Sequence, residues 1–89
     1  MAWKIEFTET AFRQLGKLDN TIASRITNFL RTRVAPLANP RSVGQALKGE
    51  RLGEFWKYRI GDYRLICKIE DDRLLILIVS VGHRREIYR

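Results

Sequence analysis

The chain has 89 residues, enough for one small core and no second one. Its 45% apolar and 30% charged residues suit a folded domain and exclude a disordered chain. Seventeen Lys and Arg against ten Asp and Glu leave a net charge of +7, which favours an anionic partner: nucleic acid, an acidic protein or an anionic membrane.

The first element expected is a short half-buried strand, because Trp3, Ile5 and Phe7 alternate with Lys4 and Glu6. Those charges stand where a secretory signal would need an apolar run. Thr8 is placed to cap a helix whose apolar face is Ala11, Leu15 and Leu18, with Phe12 beside it. Gly16 weakens this helix, and Asp19-Asn20 ends it and can cap the next. Ile22, Ile26, Phe29 and Leu30 predict a second helix from about Thr21 to Val34, with Arg25, Arg31 and Arg33 mostly off the stripe. Pro36 stops it. So short a joint predicts an antiparallel helix pair. Residues 36–53 contain Pro36, Pro40, Gly44, Gly49 and Gly53, and read as a long surface connection with one short turn around Val43–Leu47.

From Glu54 the period changes to two. Trp56, Tyr58 and Ile60 share one face, and Phe55, Lys57 and Arg59 the other. Gly61-Asp62 suits a two-residue hairpin turn. In the next strand Tyr63, Leu65, Cys67 and Ile69 alternate with Arg64, Ile66 and Lys68, up to a turn at Asp71-Asp72. Leu74 to Val81 is apolar on both faces and predicts a central strand, stopped by Gly82. The order β-α-α-β-β-β predicts one α+β domain over residues 1–89. A helical hairpin would cover one face of a largely antiparallel four-stranded sheet. The longest apolar run, Leu74–Val79, is far short of the ~20 residues that span a bilayer, so no membrane role is expected. A single cysteine fits a reducing, cytoplasmic setting.

The chemistry must come from the face the helices leave free. Alternation gathers Lys57, Arg59, Arg64 and Lys68 there, with i and i+2 neighbours about 6.5–7 Å apart. His83, Arg84 and Arg85 follow the last strand. Cations converging without matching carboxylates repel one another unless an anion visits, and Phe55 and Tyr88 add ring surfaces for bases. A solvated basic face fits the same pattern, with Phe55 in the core, Tyr88 packed down and His83 structural. Arg64 and Arg84, on an open face and at a strand end, are expected to be removable without leaving a cavity. Other chemistries lack their residues. One Cys and one His exclude a disulfide, a Cys-rich zinc module and a two-His nuclease. Glu70-Asp71-Asp72 reads as a solvated turn rather than a metal site. Ser80 lacks a nucleophile elbow, Gly44, Gly49 and Gly53 do not form a phosphate loop, and Cys67 falls on the core face. No metal or cofactor is expected.

Three stretches taken together resemble the RelE family of type II toxins, in the RelE/ParE superfamily and nearer its RelE branch. They are Leu47-Lys48-Gly49, Phe55 to Leu65 with its Gly61-Asp62-Tyr63-Arg64 hairpin, and Val79-Ser80-Val81-Gly82-His83-Arg84-Arg85-Glu86-Ile87-Tyr88. The resemblance implies a RelE-like fold over essentially the whole chain. It also implies an mRNA interferase that cuts mRNA in the A site of the small ribosomal particle. Neutralisation would fall to a RelB-like antitoxin, and operator DNA would be met only through the toxin–antitoxin complex. Lys57, Arg59, Arg64, Arg84 and Tyr88 match the family's active residues, with Arg59 in place of a lysine and a shorter step from Arg84 to Tyr88. His83 stands where RelE has lysine and some relatives use histidine. In this reading Lys57 is the candidate base, because crowding arginines disfavour another positive charge. Arg64 stabilises the phosphate, Arg84 or His83 serves the leaving oxygen, and Tyr88 orients a base. Lys48, Arg51, Phe55, Lys68 and Arg85 would contact RNA. Two alternatives stay open: a ParE-like gyrase poison, and a non-catalytic ribosome- or RNA-binding protein.

Overall fold

The chain folds into β1 (Lys4–Phe7), α1 (Glu9–Gly16), α2 (Asn20–Phe29), β2 (Gln45–Ala46), β3 (Trp56–Ile60), β4 (Tyr63–Glu70), β5 (Leu75–His83) and α3 (Arg84–Ile87). The structure is a computed structural model and describes residues 2–47 and 55–87. The sheet has five strands in the order β1-β5-β4-β3-β2. β1 runs parallel to β5, and the other pairs are antiparallel. The expected α+β class and helix-covered sheet are therefore found, on five strands instead of four.

The additional strand, β2, lies in the stretch read as surface connection. Two residues are too few to show a period of two. They pair with Lys57 and Trp56 of β3, and side chains of β3 also tie down the segment that leads into them. The Trp56 indole Nε1 donates to the Val43 carbonyl at 2.8 Å, and the buried Tyr58 hydroxyl donates to the Pro40 carbonyl at 2.7 Å. Burial pushes the Tyr58 phenol well above its usual range, which keeps that proton in place. A 3₁₀ turn at Pro40–Ser42 precedes β2, its entry closed by the Asn39 side chain on the Arg41 amide.

Thr8 caps α1 as expected, its hydroxyl accepting from the Ala11 amide at 3.1 Å. Asp19 takes the corresponding place before α2 without a side-chain cap bond. α2 is also shorter than expected. From Leu30 to Val34 the helix widens into a π turn, in which the Ala35 amide reaches back to the Leu30 carbonyl at 2.8 Å. Leu30 and Val34 remain buried, so the apolar stripe survives the change of pitch.

The core lies between the helices and one sheet face, where Ala11, Ile26 and Leu30 meet Tyr58, Leu65, Cys67, Ile76 and Ile78. Burial pushes the Cys67 thiol up to about 12, so it stays protonated and inert, as its place on the core face implied. β5 departs from simple alternation. Ile66 pairs with Ser80 and Cys67 with Ile78, leaving Val79 as an extra residue in a bulge. The bulge returns Val81 to the core side with Ile76 and Ile78. Nor does Gly82 stop this strand. It pairs with Arg64, and Ile87 of α3 fills the space over it, 3.3 Å from where a Cβ would stand.

The acidic turn after β4 is a 3₁₀ turn at Asp71–Arg73, and it is less isolated than a solvated turn. Arg41 binds both Asp71 oxygens at 2.9 Å, and these bonds hold that exposed carboxyl below the usual range. A carboxyl lowered in the folded state stabilises it fully above the unfolded value, about 3.9, and loses that contribution as pH falls through the folded value. The melting temperature of the parent is therefore expected to exceed that of Asp71→Asn slightly at neutral pH and low salt. The difference should close below about pH 4, which paired thermal melts would check.

Candidate active site

Strand pairing decides which basic residues meet. Lys57 lies opposite Ile66, and Arg59 directly opposite Arg64. All of these point away from the core face marked by Trp56, Tyr58, Ile60, Leu65 and Cys67. Like charges directly opposite on a sheet repel, so the Arg59–Arg64 pair costs stability unless a negative group is brought between them. Lys57, Arg59 and Arg64 line a cavity of about 440 Å³, closed on the outer side by Gly44 and Gln45 of the β2 segment. No carboxylate lines it among the described residues. Ile66, buried beside Lys57, gives the basic face an apolar floor.

Gly44 makes this wall possible. Its φ is +84°, and a Cβ would stand 2.4 Å from the Lys57 carbonyl oxygen and 2.6 Å from the Trp56 indole nitrogen. The approach of backbone to backbone brings the cavity wall against β3. Composition flagged Gly44 only as a loop residue, and nothing in the sequence marked Gln45.

Arg64 corrects one expectation. It is 8% exposed, not open on the face. One guanidinium nitrogen donates to the Gly61 and Tyr63 carbonyls at 2.9 and 3.0 Å, folding the side chain back over the hairpin turn. Its charge is thus fixed by neutral carbonyls, with no carboxylate bonded to it among the described residues. Arg84 is anchored to the same turn. Its amide donates to the Asp62 carbonyl at 2.8 Å, and its Nε lies 3.8 Å from an Asp62 carboxylate oxygen. Two arginines distant in sequence are therefore tied to adjacent carbonyls of one tight turn. The Arg84 side chain remains 52% exposed.

The other expected residues divide. His83 pairs with Tyr63 and sits edge-on to it, ring centroids 5.6 Å apart, on the helix-covered side of the sheet. Its Nδ1 accepts from the Arg85 amide at 3.2 Å, which leaves the proton of a neutral ring on Nε2. The bulge at Val79 is the cause, since it reverses alternation before the strand end. His83 is therefore on the opposite face from Lys57 and Arg64. Lys68 shares the basic face but lies four residues beyond Arg64, about 13 Å along the strand and outside the cavity. Arg85 is exposed at the start of α3, and Phe55 is half-buried beside β3. Lys48, Arg51 and Tyr88 lie outside the described residues.

The chain has recognisable relatives. A family model described as the ParE toxin of the type II toxin–antitoxin system parDE matches residues 5–88. The toxin RelG of Mycobacterium tuberculosis is 36% identical over 89 residues, covering 100% of this chain and 99% of the relative. The mRNA interferase toxin RelE of Escherichia coli is 30% identical over 90 residues, covering 99% and 92%. The crystal structure of the toxin–antitoxin complex RelBE2 of M. tuberculosis contains a chain that superposes with a TM-score of 0.84 at 32% identity, covering 94% of this chain and 93% of that one.

Proposed function

The chain belongs to the RelE/ParE family of type II toxin–antitoxin toxins, and from that premise we propose that it is a ribosome-dependent endoribonuclease cutting mRNA in the ribosomal A site. The observation that carries this reading is the cavity lined by Lys57, Arg59 and Arg64, cationic and without a carboxylate among the described residues, on a paired sheet. It suits a phosphate flanked by bases better than a peptide or a small neutral ligand.

The reaction uses the nucleophile RNA carries. The 2′-oxygen attacks phosphorus, loses its proton to a base and closes a 2′,3′-cyclic phosphate, while the 5′-oxygen departs and takes up a proton. Lys57, projecting into the cavity from β3, receives the first proton. Arg59 and Arg64 meet the charge that grows on the equatorial oxygens, and their mutual repulsion is relieved as the phosphate arrives. Arg64 is held before substrate comes, so its contribution needs little reorganisation. Arg84 meets the leaving side from the adjacent turn, and Tyr88 stacks on a base. His83, on the other face, supports the strand end instead of donating the proton. The ribosome supplies the alignment of the mRNA.

A metal is unnecessary in this scheme. Among the described residues no cluster of three or more His, Cys, Asp or Glu side chains could hold one. Cleavage is expected to continue when free divalent ions are chelated, with ribosomes kept assembled by polyamines. Metal-dependent recovery of a lost activity would contradict this.

A RelB-like antitoxin is the partner this reading requires. A net charge of +7 favours an acidic segment laid across the basic face, and operator DNA would be met through that complex. No helix among the described residues is long and apolar enough to cross a membrane, and a cytoplasmic site of action follows from the ribosomal target. Pulse labelling after induced expression separates the alternatives. Amino-acid incorporation is expected to stop first; an early halt in DNA synthesis would favour a gyrase poison. Ribosome occupancy without cut mRNA would favour a non-catalytic binder.

A further inference from the structure

β5, the strand that leads to Arg84, loses its neighbour β1 before its own end. β1 accompanies β5 only from Leu75 to Ile78, and its last backbone bond runs from the Thr8 amide to the Ile78 carbonyl at 2.9 Å. The bulge at Val79 also interrupts pairing with β4 at this point. Just beyond, the half-buried Gln14 of α1 reaches the outer edge of β5. Its Oε1 accepts from the Val81 amide at 2.7 Å and from the Ser80 hydroxyl at 3.3 Å.

We propose that Gln14 is a positioning residue. It takes the place of the missing stretch of β1, fixes the bulge and so sets where Arg84 is presented to the scissile phosphate. The proposal rests on the reading of Arg84 as part of a ribonuclease site. Val81 is three residues before Arg84, about 10 Å of strand. Arg84 is held on its other side by the Asp62 carbonyl. If the strand pivots at the unpaired Val79, the error is carried to Arg84 and to Gly82, which faces Arg64. One side-chain oxygen with two donors is well suited to stopping such a pivot, because the two residues that follow the bulge are bound at once.

The chemistry needed is acceptance, not the amide as such. Glutamate at this position offers the same acceptor at the same reach, whereas leucine offers none. The test uses purified Gln14→Leu and Gln14→Glu beside the parent, on programmed ribosomes in single turnover. Gln14→Leu is expected to lower the maximal cleavage rate about 10–100-fold and leave the half-saturating toxin concentration within about twofold, since misplacement by about 1 Å costs rate rather than docking. Its Val81 amide should exchange with solvent faster, and Gln14→Glu should restore both rate and protection. Three results would overturn the proposal: Gln14→Leu cutting at the parental rate, rate and docking falling together with the melting temperature, or Gln14→Glu behaving like Gln14→Leu. A parent that does not cut would refute the ribonuclease reading instead, and Val81 exchange unchanged by Gln14→Leu would then overturn the clamp itself.

Discussion

Arg64→Ala and Arg84→Ala are each expected to lower mRNA cleavage about 10²–10³-fold, the usual effect of removing one preorganised donor to a charge that develops in the transition state. They should differ in the melt. The Arg84 side chain is half exposed and approaches Asp62 only at 3.8 Å, so its loss is expected to change stability by no more than about 0.5 kcal/mol. Arg64 is buried and satisfies the Gly61 and Tyr63 carbonyls, so truncating it leaves acceptors without a donor at a cost of about 1–3 kcal/mol. Thermal melting and single-turnover cleavage on the same preparations check both. Arg64→Lys separates the two roles further. A lysine can bond one carbonyl and keep a charge in place, but lacks the planar fork, so it should recover more stability than activity. Equal melting of the two alanine variants would refute the assignment of Arg64 as a buried support of the hairpin.

Gly44→Ala is expected to abolish cleavage although Gly44 carries no functional group. A φ of +84° costs a side-chain residue about 1–2 kcal/mol before any contact is considered. The new Cβ would then meet the Lys57 carbonyl at 2.4 Å, which is backbone and cannot swing aside. The β2 segment must move off β3, opening the wall of the basic cavity. Gly16→Ala is the control, since a Cβ at Gly16 meets nothing within 4 Å. That variant should melt no lower than the parent and cut at the parental rate. Normal melting and cleavage by Gly44→Ala would show that the close approach of these segments does not matter.

What the sequence revealed here followed from periodicity. The alternation of β3 and β4 separated Trp56, Tyr58 and Ile60 from Lys57 and Arg59, and the structure keeps that division. The Thr8 cap and the apolar stripes of the helices were equally legible. The misses share a cause: each depends on a contact across the chain that local pattern does not encode. β2 pairs with β3, and Trp56 and Tyr58 reach sideways for the Val43 and Pro40 carbonyls that lead into it. His83 changes face because one residue, Val79, is unpaired several positions earlier. Arg64 is buried because its own turn offers two carbonyls, which alternation alone reads as an outward side chain. The resemblance to RelE-type toxins named the basic residues, but their grouping around one cavity depends on the Gly44 approach.

The proposed ribonuclease joins Lys57, Arg59 and Arg64 on one sheet face with Arg84 at the strand end, and it cuts mRNA held by the ribosome. This claim is tested most directly by mapping mRNA ends in a purified translation system to which the protein is added. New ends are expected within the codon occupying the A site, bearing a 2′,3′-cyclic phosphate on the upstream fragment, and they should be absent with Arg84→Ala and from the same mRNA without ribosomes. Intact mRNA on arrested ribosomes, or equal cutting of free RNA, would contradict the claim.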